Sequence, residues 1–522
     1  MTQAKQKFSV KEQALKTVAR GASIFFFGIL LGRFLGYLIR MIIARSLGPA
    51  SYGIISLGIS VVEIAAVLAL LGLPTAINRY VPFYRSRKQY DVVRGTIRSS
   101  ILISVPTGLL MMALLLILNR QISINLYNKP QLIPVLQFFA IIVPLYSLMM
   151  LNSAIFTGFK RMDLIVYSQQ MLRYLAILIL FIVLYFSGLG IKAAIFAYPI
   201  GYFLTALFGM ILAQRLFPIW GKSLPAKLNY REIFSFSWPL ILVSMIWFII
   251  DRVATLMLGY FKSADVVGIY NAALPLAQFI PAILQSFTTI FMPIASSLIS
   301  SNDSKELKKV YATTSKWILT LTLPLFLMIF AFSEQLIVIL FGTKFIAAAP
   351  VLRVLALGFF FHAIVGPTTT TLNAFEKTKL TLLNTAVGFA VNITLHLLLI
   401  PRFGIVGAGV ASASALILIN LLAVVEIFVM YNITPVSKNY LKVIASAAIP
   451  LLLVLAVTKY LAINVTLNWL ILFSVFFFVS YLLLLYLFRS MDKDDLVVLK
   501  EIQKKVGTNI RPLEYFISRI KK

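Results

Sequence analysis

Stretches of about twenty apolar residues follow one another through almost the whole chain. They lie near 22–45, 52–73, 97–118, 132–157, 171–189, 193–213, 236–259, 266–298, 311–333, 349–373, 380–400, 404–430, 443–461 and 468–488. A helix of that length crosses the ~30 Å hydrocarbon layer, and backbone in lipid must satisfy its own hydrogen bonds, so such runs fold as helices. The expectation is therefore an all-α, polytopic membrane protein of about 14 transmembrane helices. Hydrophobic residues make up 60% of the 522, against about 45–50% in a soluble domain. The runs are too many and too evenly spread for one signal peptide ahead of a soluble body. No convincing cleavage site follows the basic N-terminus, so the first helix is expected to be retained.

The formal charge is +30, with 47 Lys and Arg against 17 Asp and Glu. A nucleic-acid binder is also basic, but here the cations sit in short loops between apolar runs, which points to membrane topology and to no nucleic-acid partner. If the N-terminus is cytoplasmic, alternate loops place 33 of the 47 cations inside, the sign of the positive-inside rule. Both termini are then cytoplasmic. There is no cysteine, hence no disulfide framework, thiolate nucleophile or Cys-type metal site. No phosphate-binding G-x-x-x-x-G-K-[ST] loop and no catalytic constellation occur, so no enzyme is expected and no cofactor or metal. Transport work would be driven by an ion or substrate gradient, or by an outside partner.

The chain also repeats itself. Leu47-Gly48 with Tyr52-Gly53-Ile54 matches Leu258-Gly259 with Val267-Gly268-Ile269, and Gly190-Ile191-Lys192-Ala193-Ala194 matches Gly404-Ile405-Val406-Gly407-Ala408, both at an offset of about 210 residues. Six spans separate the copies, so the halves share one membrane orientation and form a parallel pseudo-twofold repeat. The expected organisation is a basic cytoplasmic segment 1–21, an N-lobe 22–213, an inter-lobe linker 214–235, a C-lobe 236–430, two extra helices 431–488 and a basic tail 489–522.

Some charges belong to no loop. Arg33 and Arg40 are seven residues apart, so they leave one helix face within about 20° of each other. An arginine at bilayer depth costs ~2.5–3.5 kcal/mol on insertion scales and usually faces a bundle interior or a wet cavity. Two arrangements meet that cost: a cavity that attracts anions, or Arg40 snorkelling outward with Arg33 paired to a carboxylate such as Glu63. Arg252 is the repeat counterpart of Arg40 to within one residue. Asp251 and Arg252 are adjacent and point ~100° apart, so each needs another partner. Arg79 ends the second span, either guarding a cytoplasmic mouth or belonging to an Arg- and Tyr-rich connector held at anionic lipid. Glu63, His362, His396 and Glu426 are candidates for charge pairing or proton coupling, and Arg173, Lys316 and Arg353 also fall within spans. Gly28, Gly32 and Gly36 form a small-xxx-small face that admits a neighbouring helix closely.

The run R-x-L-G-Y-x-x-R-M-x-x-A-R-x-L-G-P-x-x-Y-G from Arg33 to Gly53 resembles the first helix of oligosaccharide-lipid flippases in the multidrug/oligosaccharidyl-lipid/polysaccharide exporter superfamily. LGLPTAINRYVPFY from Leu71 to Tyr84 is similar to the end of their second helix, and DRVATLMLGYFKSADVVGIYNAALPL from Asp251 to Leu276 to the opening of their second lobe. The resemblance implies two six-helix lobes in a V, with two C-terminal helices added, alternately exposing a central cationic cavity in the plasma (inner) membrane. It implies a lipid-linked oligosaccharide moved from the cytoplasmic to the outer leaflet, its phosphate or pyrophosphate held by arginines, here Arg33, Arg40, Arg79 and Arg252. The more distantly similar lipid II flippases carry a first-helix arginine pair with one residue fewer between them. Glycan hydroxyls need polar walls, for which Asn78, Asn152, Gln169, Gln170 and Asn373 are available. The expected partners are the lipid-linked substrate, the bilayer and members of a glycan-assembly complex, with the chain a monomer and a proton or sodium ion for coupling. Two rival readings stay open: a cation-coupled multidrug antiporter, which would put carboxylates where arginines stand here, and a membrane-embedded glycan polymerase or transferase.

Overall fold

Glycine sets the breaks in this protein. Gly48 (φ 79°, ψ 173°) interrupts the first long helix just before Pro49, and Gly404 (φ 56°, ψ −128°) interrupts another. Gly190, which the internal repeat aligns with Gly404, has nearly the same backbone, φ 51° and ψ −126°. An L side chain rarely tolerates that region, so the repeat is written in conformation as well as in sequence.

A computed structural model describes residues 2–221, 225–228, 230–435, 439–463 and 465–490. The tail expected from 489 lies, beyond Ser490, outside the described residues, as do the side chains of the cations from Lys5 to Arg20. All regular structure among the described residues is helical. The first elements are α1 (Thr2–Leu70), α2 (Leu73–Ser86), α3 (Tyr90–Arg120), α4 (Leu132–Phe139), α5 (Ile142–Gly158), α6 (Met162–Ile165), α7 (Arg173–Leu184), α8 (Ile191–Leu216) and α9 (Tyr230–Phe261). Then come α10 (Ala264–Ala277), α11 (Phe279–Ser300), α12 (Ser304–Ala331), α13 (Ser333–Phe341), α14 (Ala348–Ile364), α15 (Thr368–Ala374), α16 (Thr378–Tyr431), α17 (Tyr440–Tyr460) and α18 (Leu467–Leu487). Helix runs through each stretch expected to span. Among the described residues ten helices are long and apolar enough to cross a membrane, or eleven if α4 and α5, bent by 44°, count as one. Two of the ten, α1 and α16, contain the glycine breaks. Large apolar side chains such as Phe186, Leu441 and Val429 face outward, as a lipid-contacting surface requires.

The chain divides into two compact units, Met1–Asn271 and Ala272–Lys522, so the division falls inside α10. In the first unit the glycine stripe of α1 meets the other side of a helix pair: a Cβ at Gly28, Gly32 or Gly36 would strike Val166, Gln170 or Tyr174, spaced four residues apart. The facing segment Val166–Leu172 is wound as a π-helix, a local widening common at functional positions. A second close approach joins the repeat glycines. A Cβ on Gly53 would collide with the Ala264 carbonyl, and one on Gly268 with the Pro49 carbonyl. Nearby, Tyr52 Oη donates to the Asn271 carbonyl at 3.3 Å. Lys129 Nζ donates to the carbonyls of Gly259 (2.6 Å) and Lys262 (2.8 Å) at the end of α9; burial pushes this ammonium's pKa down, and Asp265 opposes the shift.

In the second unit, Phe291, Leu307, Tyr311, Leu372, Ala423 and Ile427 form one apolar core. Phe375 stacks on Tyr431 at 3.6 Å. The two last helices are seated on α12: α17 packs along it, and Tyr481 Oη of α18 donates to the Thr320 carbonyl at 2.8 Å.

Candidate functional site

Within the first unit a polar cluster is buried among α1, α5, α7, α8 and α9. Its centre is Glu63, on the part of α1 that follows the Gly48 break. Glu63 Oε2 lies 2.8 Å from Arg252 Nη2, and the two side chains are only 11% and 16% exposed. Arg252 Nε is 3.6 Å from the half-exposed carboxylate of Asp251, too long for a hydrogen bond. The expected orthogonality of Asp251 and Arg252 thus leaves a loose pair, and the partner that Arg252 needs is Glu63. The cation seen on Glu63 is thus Arg252 of α9.

Arg173, at the start of α7, enters the cluster from another side. Its guanidinium lies over the Tyr174 ring (4.5 Å) and the Tyr202 ring (5.6 Å), and Nη1 reaches only the weak acceptor Met149 Sδ at 3.9 Å. Glu63 is within electrostatic reach of both Arg173 and Arg252, as are Tyr146 and Tyr202. The two tyrosine rings are 6.3 Å apart. Despite the closeness of opposite charges, three buried atoms lack a directed hydrogen bond: Glu63 Oε2, Arg252 Nε and Arg173 Nε. Each such group costs ~1–3 kcal/mol, so the cluster is polar, desolvated and incompletely satisfied.

The first-helix arginines extend it at both ends. Arg33 is within electrostatic reach of Tyr174, which stacks with Arg173. Arg40 is within reach of Tyr52 and Tyr198, and Tyr52 in turn of Arg252. No hydrogen bond or ion pair engages Arg40 among the described residues. Arg252 holds Glu63 and lies near Asp251, while Arg33, Arg40 and Arg173 reach the cluster through Tyr174, Tyr52, Tyr198 and Tyr202. That excess of positive charge can meet an anion in a low-dielectric setting, where a charge without a counterion is very costly.

Other expected residues are elsewhere. Arg79 is exposed on α2, 4.4 Å over the Phe236 ring and 5.6 Å from that of Tyr80. The connector after it is not wholly free for lipid: Arg94 is fully buried and donates through Nε to the Ile219 carbonyl at 2.9 Å, and Arg98 does so at 2.6 Å. Asn152 donates to the Ala206 carbonyl (3.2 Å) and Gln169 to that of Met149 (2.8 Å), so these amides join helices. Gln170 packs on Gly32, and Asn78 is exposed. Asn373 accepts from Thr381 at 3.0 Å.

His362, His396 and Glu426 belong to the second unit. Asn420 donates to the Leu416 carbonyl, which leaves its Oδ1 to accept from His362 Nδ1 at 2.9 Å. His396 Nδ1 bonds the Asn392 carbonyl at 2.7 Å. Asn384 donates to Glu426 Oε2 at 2.7 Å. Among the described residues no group of three or more His, Cys, Asp or Glu could hold a metal ion. Tyr146, Tyr174, Tyr198 and Tyr202 were not picked out by the sequence, where nothing local separates them from the other tyrosines. Arg173 was visible as an intramembrane cation, but alone on its helix it had no spacing partner.

Long apolar helices mark a multi-pass membrane protein, and its first unit buries a cation-rich cluster. Residues 18–299 match the polysaccharide biosynthesis protein family, more than half of the chain, and the chain belongs to that family. Residues 239–398 also match the MatE family. An uncharacterized membrane protein of Methanocaldococcus jannaschii is 23% identical over 421 residues, covering 77% of this chain and 82% of the relative. A probable low-salt glycan biosynthesis flippase of Haloferax volcanii is 26% identical over 230 residues, 44% of this chain and 47% of that protein. Among solved structures, the inward closed conformation of the lipid II flippase MurJ is similar with a TM-score of 0.69 at 17% identity, over 89% of this chain and 98% of that one. The fold is accordingly similar to that of this structure.

Proposed function

We propose that the protein is a flippase that moves a polyprenyl-(pyro)phosphate-linked oligosaccharide from the cytoplasmic to the outer leaflet of the plasma membrane by alternating access. Arg33, Arg40 and Arg252 meet the phosphate within the membrane, and Arg79 attracts it on the cytoplasmic side. The prenyl chain stays in lipid, so only the charged head and the glycan need a polar route. One observation supports this reading: arginines outnumber carboxylates in the buried cluster of the first unit, and among the described residues Arg40 makes no ion pair. The family and the glycan flippase among the relatives support it. The coupling ion is a proton or sodium, with Glu63, Asp251, His362, His396 and Glu426 as the groups that can respond to it, and the chain acts as a monomer beside a glycan-assembly complex.

The MatE match raises the cation antiporter as a second reading. Glu63 is the buried carboxylate that such a protein would use, but Arg252 already holds it at 2.8 Å, which leaves little negative field for a cationic drug. Deletion of the gene followed by mass analysis of lipid-linked glycans tests the proposal. A lipid-linked oligosaccharide should accumulate on the inner leaflet. Unchanged lipid pools together with lost export of cationic dyes would favour the antiporter.

A further inference from the structure

Between α14 and α15 the chain stops being helical for three residues, Val365, Gly366 and Pro367. All three are buried, so each backbone polar group there needs a partner inside the protein. In a continuous helix the Ile364 carbonyl would accept from the Thr368 N–H. Here Gly366, at φ 79°, turns the chain, and the Thr368 N–H goes to the Gly366 carbonyl at 2.9 Å instead. Pro367 has no N–H to offer. Two tyrosines from other helices donate to the carbonyls at the break. Tyr311 Oη of α12 reaches the Val365 carbonyl at 2.8 Å, and Tyr440 Oη of α17 the Ile364 carbonyl at 3.4 Å. One side chain of α16 also spans the break: Asn420 Oδ1 accepts from His362 of α14 at 2.9 Å and from Thr368 of α15 at 3.4 Å.

These four bonds are of two kinds. Those from Tyr311 and His362 have ordinary lengths, whereas those from Tyr440 and Thr368 are stretched beyond the usual O–H···O range. We infer that the α14–α15 joint is a hinge and that α17 governs it through Tyr440. The firm bonds fix the end of α14 to α12 and α16, while α15 can turn about Gly366 by giving up only the slack ones. Hinge motions are absorbed at such positions, where a few residues lie outside regular helix. Tyr440 decides which position is held. With its hydroxyl in place the Ile364 carbonyl is satisfied and the break stays as it is. When α17 draws away, the remaining donor for that carbonyl is the Thr368 N–H, which reaches it only if α15 turns. The last two helices are then a brace on this joint, seated on α12 beside it. The device belongs wholly to the second unit and works for any cargo.

The test uses the full chain in nanodiscs, with Pro350→Cys at the start of α14 and Thr370→Cys on α15. The chain has no cysteine of its own, so two nitroxide labels span the joint at about 30 Å. Pulsed electron resonance reads the distance between them, and the parent should give one main value. Tyr440→Phe removes a hydroxyl and little else, and should raise the population of a second distance about five-fold. Tyr481→Phe is the control. It removes another tyrosine bond to a backbone carbonyl, that of Thr320 at 2.8 Å, away from the joint, and should leave the distances of the parent. Thr368→Val keeps the shape but frees α15 from Asn420, and should act as Tyr440→Phe does; it decides alone if Tyr440→Phe does not fold. Parental distances in Tyr440→Phe or in Thr368→Val overturn the inference. So does a second distance that rises equally in Tyr481→Phe, which would mean general loosening rather than a hinge.

Discussion

Arg252 Nη2 and Glu63 Oε2 stand 2.8 Å apart, tying α9 to the second half of α1 through two nearly buried side chains. Removing one member of a buried pair leaves the other charge uncompensated, at a cost of ~3 kcal/mol. Glu63→Ala should therefore destabilise the protein by about that amount in unfolding measured in one detergent. The double variant Glu63→Met with Arg252→Met should recover most of it. Equal stability of Glu63→Ala and the parent would show that the pair does not form.

Arg40 gives the opposite expectation. Among the described residues it makes no ion pair, so Arg40→Ala should shift stability by no more than about 0.5 kcal/mol. If Arg40 meets the phosphate, the same change should lower head-group affinity by about 10- to 100-fold, the range of a charge-assisted hydrogen bond. Titration of the lipid-linked substrate against parent and variant checks this. A variant that is unstable but binds normally would make Arg40 a structural residue.

The glycine stripe on α1 predicts a graded packing defect. A Cβ on Gly32 would press on the Gln170 side chain and one on Gly36 on the Tyr174 ring, so either neighbour would have to shift. Overfilling such a contact costs ~1–3 kcal/mol, so Gly32→Leu should unfold at lower denaturant than Gly32→Ala, and both below the parent. Indifference to size at this position would mean that α1 and the π-helical segment do not pack.

Gly53 and Gly268 should be stricter still. What obstructs a Cβ there is backbone, the carbonyls of Ala264 and Pro49, and backbone cannot rotate aside as Gln170 can. Gly53→Ala is therefore expected to cost more than Gly32→Ala, by ~1 kcal/mol or more, in the same unfolding assay. An equal or smaller cost would show that the two repeat hairpins are not in backbone contact.

What the sequence disclosed follows the range of each interaction. Helices and breaks are local: apolar length, the Gly48-Pro49 turn and the Gly28, Gly32 and Gly36 spacing could all be read from neighbouring residues, and the structure has the break at Gly48 and the close approach at the three glycines, with ten or eleven helices of spanning length among the described residues. The repeat was readable because it recurs at a constant offset, and Gly190 and Gly404 carry it in their dihedral angles. The pairing of Glu63 with Arg252 was not readable, since any buried carboxylate could serve any buried cation until the helices are arranged. The tyrosines around Arg173 were hidden for the same reason. An aromatic residue on an apolar helix looks like ordinary core until a guanidinium lies over it.

The central claim is that arginines in the membrane carry the phosphate of a lipid-linked glycan across it. Its most direct test is translocation of a fluorescent polyprenyl-pyrophosphate glycan in vesicles containing the purified protein, read as the fraction that becomes accessible to a quencher on the far side. The account predicts rapid exposure by the parent and at least a ten-fold slower rate for Arg33→Ala and Arg40→Ala at equal protein content. Parent-like rates from both variants would contradict it.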